Sequence, residues 1–343
     1  MTMKNLIPDK KPLPIFENGY SVFKKPRERD FKILLLTDTH FGCGFLSRKS
    51  DRAAEAAIRV LAGRAAADLI IISGDLCYPI AVSSGTNNNK KQAEHVSAVM
   101  ESLTTPWAFV FGNHDQERHS PCKKDALADI FMRGKNCLFK KGPENIDGVG
   151  NYIIKIENSD KTLNNALFLL DSNMYLKKGF FSGYDHIHDN QIDWYKSEVA
   201  RLTAEYGENP SSMMFFHIPI KEFYDAWRLC YLGSNEVTYH LGFANEKDNY
   251  VGFPKSRPTH LFDDIVTLGS TKAVFAGHDH LNNFSITYKG IRLSYPMSID
   301  YLAYRKIAQK HTQRGGTLVT LCDDGGFDIR HLPLEENISL AKY

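Results

Sequence analysis

Apolar runs in this chain repeatedly end in aspartate and histidine. Leu34-Leu35-Leu36-Thr37 leads into Asp38-Thr39-His40, Ile70-Ile71-Ile72-Ser73 into Gly74-Asp75, and Phe109-Val110-Phe111 into Gly112-Asn113-His114-Asp115. Met213-Met214-Phe215-Phe216 likewise ends in His217, and Val274-Phe275-Ala276 in Gly277-His278-Asp279-His280. Short runs of this kind, rich in β-branched and aromatic residues, are the pattern of buried strands. Side chains placed just beyond such strands gather where an α/β sheet builds its sites, and these are hard and borderline metal ligands.

A chain of 343 residues with 43% hydrophobic content buries a large core. The net charge is +2 and Lys and Arg run no longer than pairs, so there is no strong nucleic-acid signal. The first thirty residues lack the apolar stretch of a secretory leader, and no run is long enough to span a bilayer. The expectation is a cytoplasmic protein with no membrane partner. Cys43, Cys77, Cys122, Cys137, Cys230 and Cys322 are scattered without a C-x-x-C pair, which argues against a disulfide framework or zinc ribbon.

Strand-like runs alternate with helical spacing over 51–67, 91–103, 125–133, 189–206 and 260–268, and strands crowd together toward the end. Tyr288-Lys289-Gly290-Ile291 reads as a hairpin turn. This predicts one α/β unit over 31–343, with two mixed sheets and helices outside. Residues 1–30, with four prolines, read as an extended arm, and 221–258, lacking clear periodicity, as a loop-rich cap beside the site.

Asp38 and His40 are two apart, on one side of an extended backbone, and can reach one ion, although a turn or capping role fits Asp38 equally. Gly74 lets the chain turn so that Asp75 points back over its strand, where a carboxylate bridges two cations about 3.5–4 Å apart. Asn113 offers a neutral oxygen. His114 is placed to bind a phosphoryl oxygen or protonate a leaving alkoxide, with Asp115 orienting it from behind. A lone His217 would more often be core, but here it joins His278 and His280, which face one cavity while Asp279 points away.

In this order the motifs resemble the calcineurin-like metallophosphoesterase superfamily (D-x-H, G-D, G-N-H-D/E, H, G-H-x-H) over residues 31–331. His217 to Phe223 with Trp227, and Gly290 to Tyr295, resemble its compact purple-acid-phosphatase-like branch. The resemblance implies a four-layer α/β/β/α sandwich holding two divalent or trivalent ions (Fe, Mn or Zn). Asp38, His40, Asp75 and His280 would hold one, and Asp75, Asn113, His217 and His278 the other. It further implies hydrolysis of phosphate monoesters, and of some diesters, by a metal-bound hydroxide, with His114 assisting the leaving group. Purple enzymes have Gly where His40 stands and use a tyrosine at the position of Tyr78. With His40 present, Tyr78 is read as a neighbour of the site and the protein as at most weakly coloured. The expected partner is a small phosphate ester, met by a rim that includes Arg118, His119, Lys123, Lys124, Tyr224, Trp227, Arg228, Tyr301, Tyr304 and Arg305. Competing readings are a phosphodiesterase or nuclease, and a catalytically silent metal-binding regulator.

Overall fold

The computed structural model describes residues 11–178, 181–255, 259–304, 307 and 314–334. In chain order the strands are β1 (Ile15–Glu17), β2 (Tyr20–Lys24), β3 (Phe31–Leu36), β4 (Leu69–Ser73), β5 (Trp107–Val110), β6 (Tyr152–Glu157), β7 (Leu163–Leu169) and β8 (Tyr175–Lys178). They continue as β9 (Phe181–Tyr184), β10 (Ser212–Phe216), β11 (Val237–Leu241), β12 (Thr271–Ala276), β13 (Ser285–Tyr288), β14 (Ile291–Ser294), β15 (Gly315–Leu321) and β16 (Phe327–Pro333). The α-helices are α1 (Arg48–Ala65), α2 (Ala81–Ser84), α3 (Asn89–Glu101), α4 (Lys124–Phe131), α5 (Asp189–Tyr206), α6 (Lys221–Tyr231) and α7 (Leu261–Leu268).

One sheet has the order β16-β15-β3-β4-β5, with β3, β4 and β5 parallel. The larger mixed sheet has the order β1-β2-β6-β7-β10-β12-β14-β13-β11, and β8 and β9 form a separate hairpin. Side-chain alternation along the central strands divides them between two cores. Met213, Phe215, Ala273 and Phe275 join β3–β5 and the helices α1, α3 and α4. Met214, Phe216, Val274 and Ala276 instead pack with Tyr195 of α5, Phe223 of α6 and Ile265 of α7. The result is the expected four layers: helices, sheet, sheet, helices.

Two segments depart from the sequence reading. Within the N-terminal arm, β1 and β2 form an antiparallel pair and β2 joins β6 in parallel, with Phe23 fully buried. The region 221–258 is not loop-rich throughout. Phe223, Ala226, Trp227 and Cys230 of α6 pack on one core, a helical spacing masked by the exposed aromatics Tyr224 among them and Tyr231 just after, and β11 pairs with β13. The turn at 289–290 is as expected: both residues have positive φ (47° and 81°), as a two-residue hairpin of the primed type requires. Among the described residues no helix is long and apolar enough to cross a membrane.

Candidate metal centre

The loops after β3 and β4 run side by side, held by Asp38 N–H to the Gly74 carbonyl (3.2 Å), His40 N–H to the Asp75 carbonyl (3.0 Å) and Phe41 N–H to the Leu76 carbonyl (3.0 Å). The backbone here is not extended, contrary to the sequence reading. Asp38, His40, Asp75 and His278 all have left-handed φ, at 54°, 45°, 53° and 79°. That conformation costs a residue with a side chain about 1–2 kcal/mol, so the packed layers beneath must hold it in place. At His278 the Asp279 N–H returns to the Gly277 carbonyl at 3.0 Å, closing a three-residue turn that throws the imidazole sideways.

The glycines of the motifs interlock with ligands of other motifs. A Cβ at Gly74 would lie 2.4 Å from His217 Nδ1, one at Gly112 would lie 2.1 Å from Asp75 Oδ1, and one at Gly277 would lie 2.2 Å from Thr37 Oγ1. Each glycine therefore lets backbone from one loop sit against another loop's polar group.

Two groups of ligand atoms result, one from Asp38, His40, Asp75 and His280 and one from Asp75, His217 and His278, each within 4.8 Å. Asp75 belongs to both: its Oδ2 lies 3.2 Å from His40 Nε2 and 3.1 Å from His217 Nε2. Asn113 Oδ1 joins the second group, 3.1 Å from His217 Nε2, while its Nδ2 donates to the Tyr175 hydroxyl at 2.8 Å, aiming the amide oxygen inward. Asp38, His40, Asp75, Asn113 and His217 are buried, and the partly exposed His114, His278 and His280 form the mouth.

Most of these imidazoles are backed at Nδ1. His217 Nδ1 faces the Ser73 carbonyl at 2.8 Å. Asp300, which the sequence reading did not identify, faces both His40 Nδ1 (3.5 Å) and His280 Nδ1 (3.1 Å), and it accepts the backbone N–H groups of Leu302, Ala303 and Tyr304. This leaves Nε2 for a metal and fits the neutral-imidazole and carboxylate chemistry of a borderline divalent cation. Burial opposes charge on His40, but Asp300 and Asp75 outweigh it and lift its pKa to about 10. Burial likewise opposes ionisation of Asp75, yet His217, His114 and His40 hold it well below the usual carboxylate range. For His278, burial and the neighbouring His217 charge push the pKa down to about 3, keeping this ring neutral.

His114 stands at the mouth, its N–H bonded to Asp75 Oδ1 (2.8 Å) and its ring 5.6 Å from that of His40. Asp115 does not orient it. The Asp115 carboxylate turns inward and accepts Cys77 N–H (2.8 Å) and Gly112 N–H (2.7 Å), tying two motif loops together. Glu117 takes the orienting place, with Oε1 2.6 Å from His114 Nδ1. Tyr78 packs edge-on to His40 (4.9 Å) and His114 (5.0 Å), with burial raising its phenol to about 12. As expected, Asp279 points away, accepting Gly252 N–H (2.9 Å) and the Tyr295 hydroxyl (2.5 Å).

The expected rim is only partly assembled. Tyr224 lines a cleft of about 540 Å³ with Lys247, Tyr250, Val251, Phe253 and Lys255, and at Gly252, between two of these lining residues, an added Cβ would lie 2.7 Å from the His278 ring. Tyr304 stands 5.9 Å from the His280 ring. Trp227 is not a rim residue: it stacks on Phe284 at 5.1 Å against the core under α6. Tyr301 packs against the inter-sheet core beneath Arg314, and the buried Lys124 pairs with Asp171 (2.7 Å). Arg118 and His119 are exposed beyond the third motif, and Arg305 lies outside the described residues. The β8–β9 hairpin, which the sequence reading also missed, leans on the ligands through Tyr175 at Asn113 and Tyr184, whose ring is 4.4 Å from that of His278.

A family model described as calcineurin-like phosphoesterase matches residues 31–282. The chain is 29% identical to probable inactive purple acid phosphatase 29 of Arabidopsis thaliana, over 83% of this chain and 76% of that protein. It is 30% identical to probable inactive purple acid phosphatase 14 of the same plant, over 85% and 76%. Its fold is similar to that of a dimetal phosphatase from Danio rerio, with a TM-score of 0.53, 13% identity, and coverage of 89% of this chain and 97% of that one.

Proposed function

Because this chain belongs to the calcineurin-like phosphoesterase family, we propose that it is an active dinuclear phosphohydrolase that cleaves phosphate monoesters of small molecules. The observation that carries this reading is the single Asp75 carboxylate shared by two complete ligand groups, with His114 at their mouth. When bound there, two cations would polarise the ester and make water acidic enough to attack phosphorus at neutral pH. The chain's own contribution is positional. Asp75 and Asn113 set the spacing, Glu117 fixes the His114 ring through Nδ1, and His114 Nε2 is left to hold a phosphoryl oxygen or deliver a proton to the departing alkoxide. The cleft containing Tyr224, Tyr250 and Phe253, flanked by two lysines, suits a compact, planar leaving group better than a polymer.

The names of the two plant relatives favour a second reading, a scaffold that binds metal without turnover. Against it stands the full ligand set with an oriented His114 at its mouth. The test is a screen of nitrophenyl mono- and diesters with Mn, Fe or Zn reconstituted into the purified chain. Monoester turnover that chelation abolishes is expected, with diester rates lower. Full metal loading without hydrolysis of either ester would establish the silent reading. His114→Ala is expected to keep its metals and lose about 10²–10⁴-fold in rate, the scale of a positioned acid, and unchanged turnover would remove His114 from the mechanism.

A further inference from the structure

We infer that this chain carries a third divalent-cation site, formed by Asp185, His186 and His188 at the base of the β8–β9 hairpin and suited to Zn²⁺ or a similar borderline metal. Asp185 Oδ1 lies 3.0 Å from His186 Nδ1 and 3.1 Å from His188 Nε2, and all three ligand atoms fall within 4.8 Å of one another. These N-to-O separations match those between ligands of the dinuclear centre, 3.1 Å for His217 with Asp75 and 3.4 Å for His280 with Asp38. Metal bonds of about 2.0–2.2 Å place neighbouring tetrahedral ligands only slightly farther apart, so one ion fits with small side-chain rotations.

The surroundings repeat the pattern found at the dinuclear centre. His188 turns Nε2 toward the shared carboxylate and Nδ1 toward Asp147 Oδ2 at 2.7 Å, just as Asp300 backs His40 and His280. The backbone is fixed before any ion is considered. Asp185 N–H donates to the Met174 carbonyl (3.1 Å), Asn173 Nδ2 donates to the His186 carbonyl (2.7 Å), and at the start of α5 the His188 backbone N–H donates to Gln191 Oε1 (2.9 Å). With side-chain exposures of 18%, 11% and 29%, the three groups are held yet open to solvent. Three protein ligands leave one position for water. An ion here would tie the hairpin base to the start of α5 and so steady Tyr175 and Tyr184, which lean on Asn113 and His278.

The test counts metal. Metal-free full-length chain is titrated with Zn²⁺ and analysed by equilibrium dialysis and elemental analysis, beside a His186→Gln/His188→Gln double variant and Asp147→Asn. The wild type is expected to bind one equivalent more than the double variant, and Asp147→Asn to bind that equivalent about 10–100-fold more weakly. With Co²⁺, the same equivalent should add visible bands in the wild type that the double variant lacks. Equal uptake by wild type and double variant, or unchanged affinity in Asp147→Asn, overturns the site. If the double variant fails to fold, Asp147→Asn decides alone, because Asp147 is exposed. The readout is a difference in stoichiometry, so it stands or falls apart from any phosphoesterase activity.

Discussion

Asp300 brings one carboxylate to the Nδ1 atoms of two imidazoles, and three backbone N–H groups hold that carboxylate still. Asp300→Asn keeps the shape but removes the charge that faces both rings, and its NH₂ would face one of the ring nitrogens or the backbone N–H donors. The expected outcome is about 10–100-fold weaker binding of the ion in the group with Asp38, His40 and His280, with the other ion retained. Calorimetric titration with one and then two equivalents checks this, and equal loss of both ions would refute it. The residue scale also shows what one-dimensional reading reaches. All seven proposed ligands close or follow apolar runs and were identified from type and spacing. Their supports were not. Asp300 lies beyond β14 with no neighbouring motif, Tyr175 arrives on a separate hairpin, and the choice between Asp115 and Glu117 behind His114 depends on how one loop curls.

Among the elements, the interlocked glycines make a sharp prediction. Gly112→Ala puts a methyl group 2.1 Å from Asp75 Oδ1 and 2.4 Å from its backbone nitrogen, and overpacking of this kind costs about 1–3 kcal/mol. A lower melting temperature and loss of both metals together are expected. Gly63→Ala, at an exposed position of α1 with nothing within 4 Å, should instead stabilise by about 0.4–1 kcal/mol. Thermal unfolding of the two variants side by side measures the contrast. The same scale shows why most of the fold was legible. β4 and α5 begin and end where a continuous apolar run and helical spacing place them. The strands that were missed are β2 and β11, whose partners β6 and β13 lie far away in sequence, and β1, β8 and β9, pieces of three or four residues with no long apolar run. β16 was missed too: it pairs with its sequence neighbour β15, and its exposed, alternating Asp328 and Arg330 hid it.

For the whole molecule, metal and proton compete. Without cations the folded chain holds His40 near a pKa of about 10 against an ordinary 6.5, so its contribution to stability is complete below about 6.5 and is lost as pH rises toward 10. Asp115 and Asp279, lifted by burial to about 6 and about 7, act in the same direction, because the folded state also binds more protons there. Asp75 works oppositely, contributing above about 3.8 and failing only in stronger acid. Metal uptake needs those imidazoles free of protons, so loading releases protons and strengthens as pH rises. The gap in melting temperature between loaded and metal-free protein should therefore widen from pH 6 to pH 8, and a constant gap would contradict this linkage. The glycines beneath Asp75, His217 and Thr37 carry a consequence for ancestry as well. Since each loop is shaped around an atom belonging to another, none can be transplanted from a cousin alone. Chimeras should work only when the loops travel as a set, which makes the centre a single heritable unit spread over most of the polypeptide.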